Sequence, residues 1–327
     1  MRSLMGYAVC LVVAVTIAFA FAPRSVPQPM DQPLRPDRVQ VNALLKQGGR
    51  VVAAGERGSI LISDDEGTSW RSAVVEPQRD AALTALIDLG DRRLLAVGHD
   101  GWILRSDDAG ERWREVRHDA NLGEPLLGAW SAGGERVLAY GSFGKLYQSD
   151  DAGSTWRGLA LEVDSAHLNA MDGGADGQRM LVGEQGLVLR SHDGGQHWQT
   201  LPAFYQGSLF GVVWLDADLW VSYGMRGHVF VSRDFGDSWH QLEVGNKQPL
   251  YGHVRLPGHG GLLIVGAGGS LVRLNGQGEL ASVSRLPGAG TLTSVVMLGS
   301  RLLLGGERGV FQDSGGTVAA LGMRGGQ

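Results

Sequence analysis

Five short segments of the sequence place a carboxylate between small and aromatic residues at a fixed spacing. Each reads Ser-x-Asp-x-Gly-x-x-Trp, and the copies are Ser63/Asp65/Gly67/Trp70, Ser106/Asp108/Gly110/Trp113, Ser149/Asp151/Gly153/Trp156, Ser191/Asp193/Gly195/Trp198 and Ser232/Asp234/Gly236/Trp239. Calcium takes six to eight oxygen ligands, and one motif carboxylate per loop falls far short of that number. A short carboxylate can instead accept N–H groups of its own turn. We expect each indole to bury an apolar face between neighbouring repeat units of the fold. We therefore predict that these aspartates and tryptophans are structural and hold no metal.

Other residues that could do chemistry are scattered along the chain. His99, His192, His197 and His228 are spread over three repeats with no helix to gather them, and the only cysteine, Cys10, lies in an apolar N-terminal stretch. Neither a Gly-x-Ser-x-Gly nucleophile turn nor a Gly-x-x-x-x-Gly-Lys phosphate loop is present. The sequence therefore predicts no metal site, no thiol chemistry, no catalytic residue and no cofactor.

Glycoside hydrolysis is the enzymatic alternative, because sialidases carry the same Asp-containing turns. Sialidase-like enzymes place an Arg-Ile/Leu-Pro motif before the first such turn, whereas Arg255-Leu256-Pro257 and Arg285-Leu286-Pro287 follow all five turns here. No Tyr–Glu nucleophile arrangement stands out in the sequence. Hydrolysis or binding of a glycan therefore stays open as the second hypothesis.

Composition excludes one class of partner. The 327 residues include 29 Lys and Arg against 34 Asp and Glu, giving a formal charge of −5, and no basic run is present. A nucleic-acid-binding protein needs a basic surface to neutralise phosphates. We predict no nucleic-acid partner.

The five turns belong to a longer repeat that predicts the fold. A Gly-x-x-Gly segment precedes each turn, and counting two weaker copies the first glycines are Gly55, Gly98, Gly141, Gly183, Gly224, Gly266 and Gly305. A period of about 42 residues with four short strands per unit is typical of a β-propeller blade. In the second copy we predict strands at 83–89, 92–97, 102–105 and 112–116.

We therefore predict an all-β, seven-bladed β-propeller with four-stranded blades over residues 38–323, followed by a tail of 324–327. A solenoid is the competing architecture, but it would need polar capping units at its ends. The last two copies lack the Trp, so we expect their blades to pack less tightly. The seventh copy offers a fourth strand at 317–321, and the sequence leaves open whether an N-terminal strand completes that blade instead.

Variable residues in the Gly-x-x-Gly turns and in the loops between blades are the candidate binding residues. These turns join the second and third strands, so in a propeller they share the face opposite the Asp-containing turns, together with the loops between blades. Variable loops on a rigid scaffold commonly bind partners, and arginine and aromatic residues are enriched at interfaces. The candidates are Arg57, His99, Asp100, Phe143, Tyr205, Arg226 and Arg308.

The N-terminus resembles an export signal. Arg2 precedes an apolar run from Leu4 to Ala22, and Ala18-Phe19-Ala20 offers a cleavage site. Residues 1–22 are therefore expected to be a signal peptide or a retained membrane anchor, and both place the propeller outside the cytoplasm, in the periplasm. Residues 23–37 contain five prolines and are expected to form an extended linker.

The segment from Val52 to Asp65, with Gly55-Glu56-Arg57-Gly58 at its centre, resembles the photosystem II assembly and stability factor family of Asp-box propellers, also called BNR propellers. Leu303-Leu304-Gly305-Gly306-Glu307-Arg308-Gly309 is similar to a closing copy of the same phrase. The resemblance implies a non-enzymatic scaffold that binds a membrane protein or membrane complex, with Arg57 and Arg308, and less closely Arg226, as contacts. Similar propellers accompany exporters of the RND superfamily, so a transporter is a second version of the same expectation.

Overall fold

Short apolar runs bounded by glycine and aspartate form β-strands throughout residues 36–313. The computed structural model describes residues 7, 11–14, 16, 36–119, 123–174, 176–216 and 218–313. The chain divides into a unit of Met1–Leu34 and a unit of Arg35–Gln327. Within the described residues of the first unit, 7, 11–14 and 16 are helical, and the proposed cleavage site lies outside the described residues. No helix among the described residues combines the length and the apolar character needed to cross a membrane.

The strands of the second unit form seven sheets, in chain order. The first three sheets contain β1 (Val41–Gln47), β2 (Arg50–Gly55), β3 (Ile60–Ser63) and β4 (Arg71–Ser72); β5 (Val74–Glu76), β6 (Leu83–Gly90), β7 (Arg93–Gly98), β8 (Ile103–Ser106) and β9 (Arg112–Arg117); and β10 (Leu126–Trp130), β11 (Val137–Gly141), β12 (Leu146–Ser149) and β13 (Arg157–Leu159).

The last four sheets contain β14 (Leu168–Gly173), β15 (Arg179–Gly183), β16 (Val188–Ser191) and β17 (Gln199–Thr200); β18 (Leu209–Asp216), β19 (Leu219–Gly224), β20 (Val229–Ser232) and β21 (His240–Leu242); β22 (Leu250–Leu256), β23 (Gly261–Gly266), β24 (Ser270–Leu274) and β25 (Leu280–Arg285); and β26 (Leu292–Leu298), β27 (Arg301–Gly306) and β28 (Gly309–Gln312). Short 3₁₀ turns lie at Pro36–Arg38, Glu56–Gly58, His99–Gly101, Ser142–Gly144, Glu184–Gly186, Met225–Gly227 and Ala267–Gly269.

Each sheet forms one blade, and all strand pairs but one are antiparallel among the described residues, which confirms the predicted seven-bladed propeller. In the second blade the four predicted strands are present, with every end within one residue of that predicted. The sequence did not predict β5, which pairs in parallel with β9 and makes this sheet five-stranded. The seventh blade has three strands within the described residues, and the predicted strand at 317–321 lies outside them.

The seventh repeat begins one residue later than its sequence suggested. Leu292 pairs with Gly306, just as Val41 pairs with Gly55 in the first blade. Gly306 therefore takes the place assigned to Gly305, and the Gly-x-x-Gly turn of this blade is Gly306-Glu307-Arg308-Gly309.

The blades close into a ring, because the first blade contacts the seventh as well as the second. The Thr293 hydroxyl donates to the Val41 carbonyl at 2.7 Å, and the Leu44 N–H donates to Ser294 Oγ at 2.9 Å. Arg301 also pairs with Glu66 at 2.6 Å across the same seam. These bonds join residues far apart in sequence, as a closed propeller requires and a solenoid does not.

The N-terminal segment occupies a linker position in this ring. The Pro36 carbonyl lies against Gly309, 2.0 Å from where a Cβ on that glycine would stand. The carbonyls of Tyr205 and Asn246 lie in the same way against Gly186 and Gly227. Residues around Pro36 therefore lead into the first blade while they lie against the seventh, in the place that a linker takes beside the blade it leaves.

The Asp-containing turns are held together by hydrogen bonds within each turn. In the first blade Ser63 Oγ donates to Asp65 Oδ1 at 2.8 Å and accepts from the Gly67 N–H at 2.7 Å. The Ser69 N–H donates to Asp65 Oδ1 at 2.8 Å, and Trp70 Nε1 donates to the Gly67 carbonyl at 3.0 Å. The serine-to-aspartate bond recurs in all five copies. Each aspartate therefore ties one turn together, and the turn reverses the chain between the third and fourth strands.

The turn at Asp108 departs from the uniform pattern that the shared motif predicted. The Asp108 carboxylate accepts the Ser106 hydroxyl at 2.8 Å and the Arg112 N–H at 3.0 Å. In other copies the residue four positions after the aspartate also donates from a side-chain hydroxyl, which is the case for Ser69 to Asp65, Thr155 to Asp151 and Ser238 to Asp234. In the fourth copy His197 Nδ1 lies 2.6 Å from Asp193 Oδ2 at that position. Arg112 has no hydroxyl, so the structural role of Asp108 depends on fewer bonds than the motif suggested.

The tryptophans of these turns differ in how deeply they are buried. Only one of the five, Trp113, is buried, and the other four are half-buried: Trp70, Trp156, Trp198 and Trp239. Trp113 lies within the six-residue β9 and pairs with Val75 of the extra strand β5, which covers it. Trp156 and Trp198 instead precede the short outer strands β13 and β17, where no further strand covers the indole. Trp156 and Trp198 nevertheless pack against core residues of two neighbouring blades, so each buries an apolar face between blades, and burial is most complete at Trp113.

The indole N–H groups are held by the turns themselves in four copies. The bond from Trp70 to its glycine carbonyl recurs at 2.8 to 3.1 Å for Trp113, Trp156 and Trp198. In the fifth copy Trp239 stacks on Phe204 of the preceding linker, with centroids 5.0 Å apart. The half-buried indoles therefore stabilise their own turns as well as the packing between blades.

The sixth blade does not have the looser packing expected from the loss of its Trp. Leu262, Leu263, Ile264 and Val265 on β23 are fully buried, as are Leu271, Val272 and Leu274 on β24. Its turn is held by an asparagine, since Asn275 Oδ1 accepts the Gln277 and Glu279 N–H groups at 3.0 and 2.9 Å. The six-residue β25 supplies outer pairing that the two- and three-residue outer strands of the first, third, fourth and fifth blades lack.

Candidate partner-binding face

The Gly-x-x-Gly turns and the linkers between blades lie at one end of the strands, and the Asp-containing turns lie at the other. This follows from the antiparallel order, because the turns between second and third strands and those between third and fourth strands alternate ends. The turns are bonded to the linkers: the Gly101 N–H donates to Glu124 O at 3.0 Å, Gly144 to Ala166 O at 2.9 Å and Gly186 to Gly207 O at 2.8 Å. We name this end of the propeller the turn face.

The third residue of these turns is held in a left-handed backbone conformation that side chains other than glycine rarely adopt. The residues with positive φ are Arg57 (56°), Asp100 (57°), Phe143 (53°), Gln185 (55°) and Arg226 (58°). Each such residue stores strain, of order 1–3 kcal/mol, that the surrounding bonds must hold. The turn face therefore presents five side chains from a rigid frame, and the sequence missed this because it shows composition and not dihedral angles.

Three candidate arginines on the turn face lack an ion-pair partner among the described residues. Arg57, Arg226 and Arg308 are exposed, and none of them forms an ion pair within the described part of the chain. Two arginines near the Asp-containing turns are engaged instead: Arg50 pairs with Asp64 at 2.6 Å, and Arg71 pairs with Glu111 at 2.6 Å. The free guanidinium groups are therefore available to a partner.

The structure brings Tyr205 and Arg226 together. Tyr205 lies in the linker after the fourth blade, and its hydroxyl approaches the Met225 carbonyl of the next turn at 3.4 Å. Burial raises the pKa of Tyr205, and the positive charge of Arg226 opposes that shift. The tyrosine stays protonated near neutral pH and presents a neutral donor beside a free cation.

The other candidates lie on the same face in different blades. His99 is exposed and Asp100 half-exposed in the second blade, where the Asp100 carbonyl accepts the Asp119 N–H at 2.9 Å. Phe143 in the third blade is 53% exposed, and its ring meets His167 edge-on at 4.9 Å. Arg57 and Arg308 belong to the adjoining first and seventh blades. The candidates are therefore spread around the turn face, and they do not line one shared pocket.

A polar cluster near the other end of the inner strands bears on the glycosidase hypothesis. Asp172 on β14 is buried and accepts the Trp214 N–H at 2.8 Å, Trp130 Nε1 at 3.3 Å and a bond from Arg255. Its carboxylate is saturated by donors from three other blades, as expected of a structural acid.

Tyr223 and His253 form a second buried contact nearby. The Tyr223 oxygen lies 2.6 Å from His253 Nδ1, and burial raises the pKa of the tyrosine. Burial also lowers the pKa of His253 to about 4, with the Asp172 charge opposing that shift. The pair is neutral at physiological pH, and the contact that Tyr223 makes is with a histidine and not with a glutamate.

Comparisons with known proteins agree with the fold. A profile of the family described as photosynthesis system II assembly factor YCF48 matches residues 45–178. No curated protein sequence matches. Among solved structures, YCF48 from Cyanidioschyzon merolae is 15% identical with a TM-score of 0.67, covering 86% of this chain and 98% of its own.

Two further structures have the same architecture. YCF48 bound to a D1 peptide is 16% identical with a TM-score of 0.66, covering 88% of this chain and 98% of its own. The WD40 propeller domain of Doa1 is 14% identical with a TM-score of 0.69, covering 88% of this chain and 97% of its own. At these identities a structural likeness establishes the fold, and the family profile adds the sequence relationship. The chain is therefore a seven-bladed β-propeller similar to the photosystem II assembly factor family, as its sequence indicated.

Proposed function

We propose that this protein is a non-catalytic scaffold that binds a membrane protein through the turn face. The observation that carries the proposal is the set of exposed, unpaired arginines Arg57, Arg226 and Arg308 on turns that the linkers hold rigid. Preformed loops lose little conformational entropy on binding, and arginine contributes strongly at interfaces. A solved relative with the same fold holds a D1 peptide, which supports a polypeptide partner for this chain.

The experiment is an affinity capture of detergent-solubilised membranes with the tagged propeller, followed by identification of the captured proteins. We expect one integral membrane protein or complex to be retained, and at least tenfold less of it with Arg57→Ala plus Arg308→Ala. The matched control is Arg92→Ala plus Arg112→Ala, which removes two exposed arginines near the Asp-containing turns instead. The identity of the captured protein separates a photosystem component from a transporter.

Two results would contradict the proposal. Equal loss of capture in both double variants would mean that net charge, and not the turn face, governs binding. Turnover of a sialoside by the purified protein would favour the glycosidase hypothesis instead.

We further propose that the propeller acts outside the cytoplasm. The basis is the sequence from Arg2 to Ala22, with its basic start and apolar run. N-terminal sequencing of the mature protein from the periplasmic fraction is expected to begin at Phe21 if Ala18-Phe19-Ala20 is cleaved. An intact N-terminus in the membrane fraction would indicate the anchored form, and recovery from the cytoplasm would contradict export.

A further inference from the structure

A cavity of about 560 Å³ opens on the turn face between the third and fourth blades. Its apolar lining includes Phe143 from the third-blade turn, Val163 from the following linker, and Leu187 and Leu201 from the fourth blade. Leu201 is buried and supports the floor, whereas Val163 and Leu187 are half-buried. The cavity is therefore a preformed apolar recess, large enough for one long side chain and its neighbours.

The same recess carries three carboxylates. Glu162, Asp164 and Glu184 line it, and its lining contains no lysine or arginine. Glu162 and Asp164 are exposed and form no ion pair among the described residues, while Glu184 accepts the His167 N–H at 3.2 Å. Charges beside a low-dielectric wall act more strongly than charges in open water. The recess is therefore complementary to a cation that also has an apolar part.

The exposed ring of Phe143 is the third feature of the recess, after its apolar lining and its carboxylates. Its ring is 53% exposed, although a left-handed backbone is rare for a bulky residue. His167 meets the ring edge-on at 4.9 Å, with an interplanar angle of 79°. An exposed aromatic ring beside carboxylates can bind a cation over its face.

We infer that this recess binds one arginine or lysine side chain from an extended peptide segment of the partner, with arginine preferred. The inference rests on the proposed function, since it assigns a partner residue to part of the turn face. The aliphatic stem would pack on Val163 and Leu187, and the cationic head would meet Glu162, Asp164 and the Phe143 ring. A guanidinium is planar, stacks on aromatic rings and gives carboxylates two parallel hydrogen bonds, so it fits better than an ammonium.

The alternative occupants fit less well. A bare divalent cation would need six to eight oxygen ligands, and half of this lining is apolar. A phosphate or an acidic peptide would meet only like charge. The turn face would thus divide its contacts, with free arginines in the first, fifth and seventh blades and a cation-binding recess at the junction of the third and fourth.

The test measures peptide binding to the whole purified protein by fluorescence anisotropy. The probe is a labelled, acetylated Gly-Ser-Leu-Arg-Leu-Ser-Gly amide, and its matched partner has citrulline, which keeps the shape and loses the charge, in place of Arg. We expect the Arg probe to bind at least about tenfold more tightly than the citrulline probe. The Lys probe should fall between them.

Variants then locate the binding. Glu162→Gln plus Asp164→Asn, and separately Phe143→Leu, should each weaken the Arg probe about tenfold. Glu56→Gln plus Glu307→Gln removes the same charge elsewhere on the turn face and should change affinity less than twofold. Circular dichroism and the melting temperature check that each variant is folded.

The outcomes separate this inference from the proposed function. Equal affinity for the Arg and citrulline probes, absence of binding at millimolar probe, or equal loss in the control variant would each overturn the inference. Arg-selective binding without membrane-protein capture would support the recess and contradict the scaffold role. Capture that survives Glu162→Gln plus Asp164→Asn, together with absence of probe binding, would support the scaffold and overturn the recess.

Discussion

At the scale of single residues, the Asp-containing turns show how few atoms define a repeat. A serine hydroxyl, an aspartate carboxylate and one glycine arrange the bonds that the five turns share, and these three types are what the sequence motif records. The motif therefore predicted which atoms hold the turn together. It could not predict how deeply each tryptophan is buried, because the depth depends on neighbouring strands such as β5 beside Trp113, which the motif does not encode.

The first prediction concerns Asp151, whose carboxylate accepts the Thr155 hydroxyl at 2.6 Å and the Thr155 N–H at 2.8 Å. These bonds, with the Thr155 hydroxyl foremost, lower the pKa of Asp151 from 3.8 to about 2. A lowered folded-state pKa stabilises the fold above the unfolded-state pKa, and that stability is lost as pH falls through the folded-state pKa. Thr155→Val should therefore cost about 0.5–1 kcal/mol at pH 7 and less as pH approaches 2.

Thermal melting of the wild type and the variant between pH 7 and pH 2 measures this convergence. Thr155→Ser keeps the hydroxyl and should follow the wild type at every pH. If the valine and serine variants melt alike throughout the range, the hydroxyl does not set the pKa of Asp151.

At the scale of elements, the period of the sequence located the strands well, and it missed what happens within the inner strands. Every inner strand has a register shift after its first residue, for example between Val41 and Ala43 in β1 and between Leu292 and Ser294 in β26. A bulge has no composition of its own, so a repeat-based prediction cannot place it. The parallel strand β5 was missed for a similar reason, since its three residues look like linker.

Two glycines of the inner strands mark close contacts with tyrosine rings on the neighbouring strand. Both residue types could be read from the sequence. Gly211 on β18 faces Tyr223 on β19, and a Cβ at Gly211 would lie 2.0 Å from the tyrosine Cζ. Gly128 on β10 faces Tyr140 on β11 in the same way, and a Cβ there would lie 2.5 Å from the tyrosine Cζ. A glycine fixed in register with a tyrosine thus marks a ring that crosses over its partner strand toward the next blade.

The second prediction follows from this contact. Gly211→Ala should destabilise the fold by about 2–3 kcal/mol, because a buried ring must leave its place and its contact with His253. Gly158→Ala on the outer strand β13 is the matched control, since its new methyl would meet Tyr147 at an ordinary 3.9 Å. The control should be neutral or stabilising by up to about 1 kcal/mol. Urea denaturation measures the free energy of unfolding of both variants. Equal values would contradict the predicted overlap between the new Cβ at Gly211 and the tyrosine ring.

At the scale of the whole molecule, the repeat predicted the number of blades but not how the ring closes. The seam between seventh and first blades uses the same bond as an ordinary junction. Thr293 donates to the Val41 carbonyl at 2.7 Å across the seam, and Thr84 donates to the Leu126 carbonyl at 2.7 Å between the second and third blades. Closure therefore depends on the inner strands, whichever segment completes the outer edge of the seventh blade.

The third prediction tests that equivalence. Thr→Val at either position keeps the shape and removes one hydroxyl from a part-buried junction, which should cost about 1 kcal/mol. In a closed ring Thr293→Val and Thr84→Val should lower the free energy of unfolding by similar amounts, because every junction breaks in one cooperative transition. In an open array the bond to Val41 would form rarely, and Thr293→Val would cost close to nothing while Thr84→Val kept its full effect. Urea unfolding of the two variants beside the wild type therefore distinguishes a ring from an array by the difference between two chemically identical substitutions.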